Sequence, residues 1–212
     1  MAGLTSTSWK LENTVITRHL FILAIALSSA AYADNDPAAF PCAECHGIDG
    51  IAAKSGIPHL NGQIQRYLQD AMAQFKSASR PGRAFGHEPA GIDDAQVMEV
   101  LKRYSAEKSV RPKQAKLDPL LIEKGGEIYQ NRCADCHVDN GRESDKEAPL
   151  MAAQDVDYLI KQGHHFIDGK RKYPMMMDKS YQGLSDGDLE AVAHFFASQD
   201  QLSSQKTKKR RR

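Results

Sequence analysis

Two five-residue segments of this chain carry side chains suited to metal or redox chemistry. CAECH spans residues 42–46 and CADCH spans residues 133–137, so each joins two cysteines spaced C-x-x-C to a histidine that follows at once. The chain has four cysteines, and all of them lie in these two segments. Thiols and imidazoles are nucleophiles and metal ligands, so the pattern indicates two sites of the same kind.

The C-x-x-C-H spacing is typical of covalent haem attachment. The two thiols add across the vinyl groups of a haem and form thioethers. The histidine that follows then lies beneath the porphyrin, where its imidazole becomes the proximal iron ligand. The sequence therefore predicts two covalently bound haem c groups, with thioethers at Cys42, Cys45, Cys133 and Cys136 and proximal ligands at His46 and His137.

Other uses of paired cysteines fit less well. An even cysteine count in an exported protein normally suggests disulfides, but a histidine directly after each pair favours haem. Zinc ribbons separate their pairs by about 15–20 residues, whereas Cys45 and Cys133 are 88 positions apart. A thioredoxin-like redox site requires a βαβ context, and the sequence shows no convincing alternating strand.

The chain is a tandem repeat with an offset of 91 residues. Placing Cys42 over Cys133 also aligns five further pairs, namely His46 with His137, Pro58 with Pro149, Gln63 with Gln154, Tyr67 with Tyr158, and Phe75 with Phe166. Agreement at a fixed period marks two copies of one unit. We expect the first unit at residues 34–110 and the second at residues 111–204, with a polar, proline-bearing linker at residues 105–118.

Helical periodicity predicts an all-α fold for both units. Apolar residues recur at helical spacing in two segments of each unit: Ile64, Tyr67, Leu68, Ala71, Met72 and Phe75; Val97, Val100, Leu101 and Tyr104; Val156, Leu159 and Ile160; Leu189, Val192, Ala193 and Phe196. Asp118 and Pro119 predict a helix start before the second haem motif. Ser185 and Asp188 resemble a capping box at the start of the last helix.

The two ends of the chain have compositions of their own. Residues 20–31 form an apolar run followed by an A-x-A site, which predicts a signal peptide at residues 1–33, cleaved after Ala33, and export to the periplasm. Residues 34–205 carry 20 basic and 26 acidic side chains. Residues 206–212 carry six positive charges, and we expect residues 205–212 to be a disordered basic tail; the alternative is docking on an acidic partner or membrane surface. Nucleic acid is not an expected partner of an exported protein.

These residues resemble class I cytochrome c, and two units in tandem resemble the diheme cytochrome c4 type. GGEIYQNRCADCHVDNG and the LSDGDLEAVAHFFASQ ending are most similar to the cytochrome subunit of flavocytochrome c sulfide dehydrogenase. The resemblance implies two tandem class I cytochrome c domains. It also implies a methionine ligand on the distal side of each iron, which falls on Met177 in the second unit, with Met175 and Met176 as alternatives. The carbonyls of Pro149 and Pro58 would accept hydrogen bonds from the proximal histidines.

The first unit departs from the family pattern on the distal side. The position of the expected methionine is occupied by Phe85, which cannot ligate iron, and His87 lies two residues further on. The leading interpretation is bis-histidine ligation by His46 and His87. The alternatives are an open or water-bound iron with Phe85 as a lid, or ligation by Met98, Met72 or His59.

The resemblance implies electron transfer rather than catalysis. The leading interpretation is the haem subunit of a periplasmic flavoprotein dehydrogenase that oxidises sulfide and hands electrons to the haems, with a downstream cytochrome or oxidase as acceptor. An alternative in the same class is a free diheme shuttle to a terminal oxidase. An alternative of a different class is a haem enzyme that uses an open first iron, for example a peroxidase.

Overall fold

A computed structural model of the chain describes residues 41–82, 87, 92–107, 114, 116–143, 148–174 and 176–201. The predicted signal peptide, Phe85, Met175 and the basic tail lie outside these residues. Within them all regular secondary structure is helical, as predicted, in eight segments: α1 (Cys42–His46), α2 (Gln65–Lys76), α3 (Asp94–Ala106), α4 (Pro119–Arg132), α5 (Val138–Gly141), α6 (Val156–Ile167), α7 (Met177–Tyr181) and α8 (Asp186–Ser198). None of the helices in the described residues is long and apolar enough to cross a membrane.

The core of the first half lies between α2 and α3. Leu68 meets Val100, Leu101 and the fully buried Tyr104 there. The Tyr104 hydroxyl donates to the carbonyl of Gly47 at 2.9 Å, which attaches α3 to the residue directly after the first haem motif. Helix α3 begins with a capping box, because Asp93 and Gln96 each accept the other's backbone N–H.

The core of the second half lies where α4 crosses α8, with α6 packed against α8. Tyr129 of α4 is buried against the rings of Phe195 and Phe196. Its hydroxyl donates to the carbonyl of His137 at 2.9 Å and accepts the N–H of Asn140 at 2.8 Å. This one side chain therefore holds the residue before the short α5 segment and a residue within it.

The predicted start signals of α4 and α8 are confirmed. Asp118 accepts the N–H of Leu120, and Pro119 is the first residue of α4. Ser185 and Asp188 form a reciprocal capping box at the start of α8. Both caps fix the direction from which the chain enters a helix that packs beside a haem motif.

Each half folds its loop after the haem motif in the same way. Gly50 and Gly141, 91 positions apart, both have φ +80. The Gly50 carbonyl accepts the N–H groups of residues 60 and 61, and the Gly141 carbonyl accepts those of residues 151 and 152. A side chain at Gly50 would lie 2.6 Å from the Asn61 nitrogen, so this close approach requires glycine. The turn places the carbonyl of Pro58 beside His46, and its counterpart places that of Pro149 beside His137.

Candidate haem sites

The two motif histidines lie in matching environments. His46 Nδ1 donates to the Pro58 carbonyl at 3.0 Å, and His137 Nδ1 donates to the Pro149 carbonyl at 3.1 Å. Burial lowers the pKa of both imidazoles, against a smaller raising effect of the carbonyl acceptors. A neutral imidazole that donates from Nδ1 has its lone pair on Nε2, which is the form that binds a metal.

The four cysteines flank these histidines in sequence and are not paired in disulfides. Cys45 and Cys136 are exposed, and Cys42 and Cys133 are half-buried. Burial raises the pKa of Cys42 and raises that of Cys133 to about 11, so both remain protonated at neutral pH. Across the described ranges no group of three or more His, Cys, Asp or Glu side chains could hold a bare metal ion. Two thiols followed by a histidine are the groups that covalent haem attachment uses.

His87 faces His46 in the first half. The two ring centroids are 6.3 Å apart. Two imidazoles that bind one metal ion from opposite sides have centroids roughly 6 Å apart, because two metal–nitrogen bonds of about 2.0 Å separate the nitrogens. His87 Nδ1 donates to the Gly82 carbonyl at 2.7 Å, and its ring stacks on Phe75 at 3.9 Å. Burial lowers the pKa of His87, so its Nε2 also carries a lone pair.

The other residues considered for the first iron are engaged elsewhere or turned away. His59 is buried, and its Nδ1 accepts the N–H of Ala52 at 3.1 Å. Met72 packs against the core between α2 and α3. Met98 lies on α3 with 39% of its surface exposed. Of the residues that the structure describes, His87 alone combines a position opposite His46 with an available ring nitrogen.

In the second half, Met177 is the first residue of α7 and is half-buried. Met176 is 67% exposed, with its sulfur 3.9 Å from the Lys179 ammonium, so it points to solvent. A cavity beside α7 has a mixed lining that includes Asp178 and Lys179 as well as Tyr173, Tyr181 and Leu184, and Met177 is not among its lining residues.

A pair of arginines shows further that the chain fits a haem. Arg80 and Arg171, 91 positions apart, are both buried, and each lies over a phenylalanine ring, Phe75 and Phe166 respectively. Arg80 donates to the Tyr158 hydroxyl at 2.6 Å. The Nε atom of each arginine is buried without a hydrogen-bond partner, and in the described part of the chain neither guanidinium pairs with a carboxylate.

This unbalanced positive charge affects a neighbouring phenol. Burial alone would raise the pKa of Tyr67, but Arg80 and Arg171 outweigh burial and lower it. Two buried guanidinium groups without a carboxylate partner favour a nearby anion, and haem carries two carboxylate side groups. The sites therefore fit the group in three respects: thiols for attachment, Nε2 atoms for the iron and cations for the carboxylates. The repeat offset could have revealed Arg80 and Arg171, since they occupy equivalent positions; their burial could not be foreseen.

Comparison with known proteins agrees with this geometry. The cytochrome c family model matches residues 30–107 and again residues 122–200. The chain belongs to the cytochrome c family, with two tandem domains that bind covalently attached haem c. It is a diheme electron-transfer protein of the cytochrome c4 kind.

Individual relatives support this statement. Cytochrome c4 of Azotobacter vinelandii is 28% identical over 200 residues, which cover 82% of this chain and 94% of that protein. A thiosulfate dehydrogenase electron acceptor of Stutzerimonas stutzeri is 27% identical and covers 76% of this chain and 80% of its own length. The crystal structure of reduced cytochrome c4 from Pseudomonas stutzeri superposes with a TM-score of 0.64 at 26% identity, over 79% of this chain and 97% of that one.

Proposed function

We propose that the chain carries electrons between an exported dehydrogenase and a downstream acceptor, by way of two unlike haems. Cys42, Cys45, Cys133 and Cys136 would hold the porphyrins, and His46 and His137 would bind the two irons. The observation that carries the proposal is that each of these histidines is half-buried, with Nδ1 occupied by a proline carbonyl and Nε2 left for a metal.

The bound haem supplies a one-electron Fe(III)/Fe(II) couple. The chain's own residues set the conditions for it. The Pro58 and Pro149 carbonyls fix the tautomer and the orientation of the imidazoles, and so raise their basicity. Met177 would complete the second site on its distal side.

His87 would complete the first site. Its distance from His46, the Gly82 carbonyl on its Nδ1 and the Phe75 ring against its face all support ligation through Nε2. With six positions occupied, the first iron would have no place for a substrate, so the chain would not be an enzyme. The open-iron interpretation requires His87 to lie elsewhere.

The partners are proposed from the sequence and from the names of relatives. A flavoprotein that oxidises sulfide is the first candidate donor, from the resemblance to a sulfide dehydrogenase subunit. A thiosulfate dehydrogenase is the second, because one relative is named as the electron acceptor of that enzyme. FixP, a subunit of a cbb3-type oxidase, is 31% identical over 144 residues, which favours an oxidase as acceptor. The predicted signal peptide places this exchange in the periplasm.

Ligation is tested by spectroscopy of the purified full-length protein. We expect two haems per chain by the pyridine haemochrome assay. A near-infrared methionine-to-iron band should account for one haem only, and electron paramagnetic resonance should show a low-spin bis-histidine signal for the other. In His87→Ala the bis-histidine signal should disappear, and the reduced first haem should bind carbon monoxide.

His164→Ala is the matched control, because this histidine is 39% exposed on α6 and makes only a loose contact with Asp186. It should leave both spectra unchanged. A methionine band that accounts for both haems, or carbon monoxide binding by the unmodified reduced protein, would refute His87 as ligand. Fewer than two haems per chain would refute the wider proposal.

A further inference from the structure

One peptide group in the first half links the proximal histidine to a side chain of the second half. Its carbonyl, on Pro58, accepts the hydrogen bond from His46 Nδ1 at 3.0 Å. Its N–H, on His59, donates to Gln154 Oε1 at 2.7 Å. Gln154 Nε2 donates back to the His59 carbonyl at 3.0 Å. The imidazole of the first site is thus connected to the second half through a single peptide unit.

The reverse connection exists in the second half. The Pro149 carbonyl accepts from His137 Nδ1 at 3.1 Å, and the N–H of the same peptide group, on Leu150, donates to Gln63 Oε1 at 2.9 Å. Gln63 Nε2 donates back to the Leu150 carbonyl at 3.0 Å. Gln63 and Gln154 are 91 positions apart, so the repeat makes each contact the counterpart of the other.

Both glutamines are held firmly. Their exposed fractions are 2% for Gln63 and 3% for Gln154. Each Oε1 accepts a second backbone N–H, from Ile64 and Asp155 respectively, both at 3.0 Å. A buried amide with its acceptor and donor both used has one orientation, so its effect on the peptide group is constant.

A hydrogen bond to a peptide N–H polarises the carbonyl of the same group, because the peptide bond is conjugated. The carbonyl then accepts more strongly from Nδ1–H, and the imidazole becomes a more basic iron ligand. A more basic ligand favours ferric over ferrous iron, so the bond should lower the reduction potential. The glutamine that makes this bond belongs to the opposite half of the molecule.

We propose that Gln63 and Gln154 are crossed positioning residues, each setting the orientation and basicity of the proximal histidine in the other half. Gln154 acts on His46 and the first haem, and Gln63 acts on His137 and the second. The inference rests on the proposed function, because it takes these histidines as iron ligands.

The test measures both midpoint potentials in the full-length holoprotein and in two variants, Gln154→Leu and Gln63→Leu. The methionine near-infrared band follows the second haem separately from the first. We expect Gln154→Leu to raise the potential of the first haem and leave the second unchanged. Gln63→Leu should do the opposite. A change in the midpoint potential of the haem in the variant's own half, or an equal change in both midpoint potentials, would mean that the substitution only loosens the interface. Either result would overturn the proposal.

A third variant separates polarisation from the loss of packing. Gln154→Glu keeps an acceptor oxygen for the His59 N–H and removes the amide donor, and any negative charge on the new carboxyl group would itself favour ferric iron, so the first potential should not rise. A rise as large as that of Gln154→Leu would overturn the proposal, even if the leucine variant folds poorly. Two haems per chain in each variant, by the pyridine haemochrome assay, keeps this result distinct from a failure of haem attachment.

Discussion

The Nδ1 atom distinguishes the candidate iron ligands from the structural histidines. In His46, His87 and His137 this atom donates to a backbone carbonyl, which leaves Nε2 with the lone pair. In His59 and His194 it accepts a backbone N–H, which requires the other tautomer and occupies the lone pair within the fold. In each of these three histidines the Nδ1 acceptor is a backbone carbonyl and not a carboxylate, so the imidazole stays neutral and only moderately basic.

The distal side of the second haem gives a prediction for single residues. Met177→Leu should abolish the near-infrared methionine band and lower the midpoint potential of the second haem, because a thioether ligand raises the potential. Met176→Leu is the matched control and should change neither, since Met176 is largely exposed beside Lys179. Near-infrared circular dichroism on both variants would measure this. If the band were lost only in Met176→Leu, the ligand would be Met176 and not Met177.

At the scale of elements, the second haem motif depends on how closely α4 crosses α8. A side chain at Gly125 would collide with the carbonyl oxygen of Ala191 and lie 2.8 Å from Phe195 Cβ. The absence of a side chain therefore allows the two backbones to touch, which buries Tyr129 against the phenylalanines of α8. Tyr129 in turn holds the backbone of His137, so this crossing positions the proximal ligand.

Gly125→Ala should destabilise the holoprotein by about 1–3 kcal/mol, since overpacking forces the helices apart. Gly126→Ala is the matched control, because its side chain would meet only the edge of the Phe195 ring at 3.4 Å. That variant should be neutral or gain up to about 1 kcal/mol, since alanine favours helix over glycine. Denaturant unfolding at 25 °C would compare the two. If both variants lost the same free energy of unfolding, the close helix contact at Gly125 would not be important for stability.

At the scale of the whole molecule, two copies of one unit face each other through equivalent residues but differ on their distal sides. Gln63 and Gln154 make reciprocal bonds to the loops of the opposite halves, and Arg80 reaches Tyr158 across the same boundary. In the proposed ligation the first half presents His87 to its iron and the second presents Met177. On this proposal the molecule is symmetric where the halves meet and asymmetric at the two irons.

This asymmetry predicts the direction of electron flow. An imidazole in place of a thioether lowers the reduction potential, so the first haem should be the lower-potential centre. Electrons would enter at the first haem and leave from the second. A potentiometric titration of the full-length protein should resolve two midpoints, with the methionine band following the higher one. Two equal midpoints, or the reverse order, would contradict this prediction.

Much of the fold could be predicted from local sequence. The positions Asp118, Pro119, Ser185 and Asp188 specify helix starts through backbone bonds a few residues away, and the structure confirms them. The polar linker predicted from residue 105 begins slightly later, because α3 continues to Ala106. The site was harder to predict. The repeat identifies Gln63 as a shared residue without indicating its role, and no local pattern in the sequence indicates a role for Arg80.

The sequence alone determined the covalent chemistry, the repeat and the helical class, because motif spacing and periodicity are local properties of the chain. It also showed that Phe85 stands where the family has methionine, and left His87 as one of several choices. Only the tertiary structure brought His87 opposite His46, gave each histidine its tautomer and joined the halves. These contacts link residues as far as 102 positions apart, and whether they meet depends on how the helices pack.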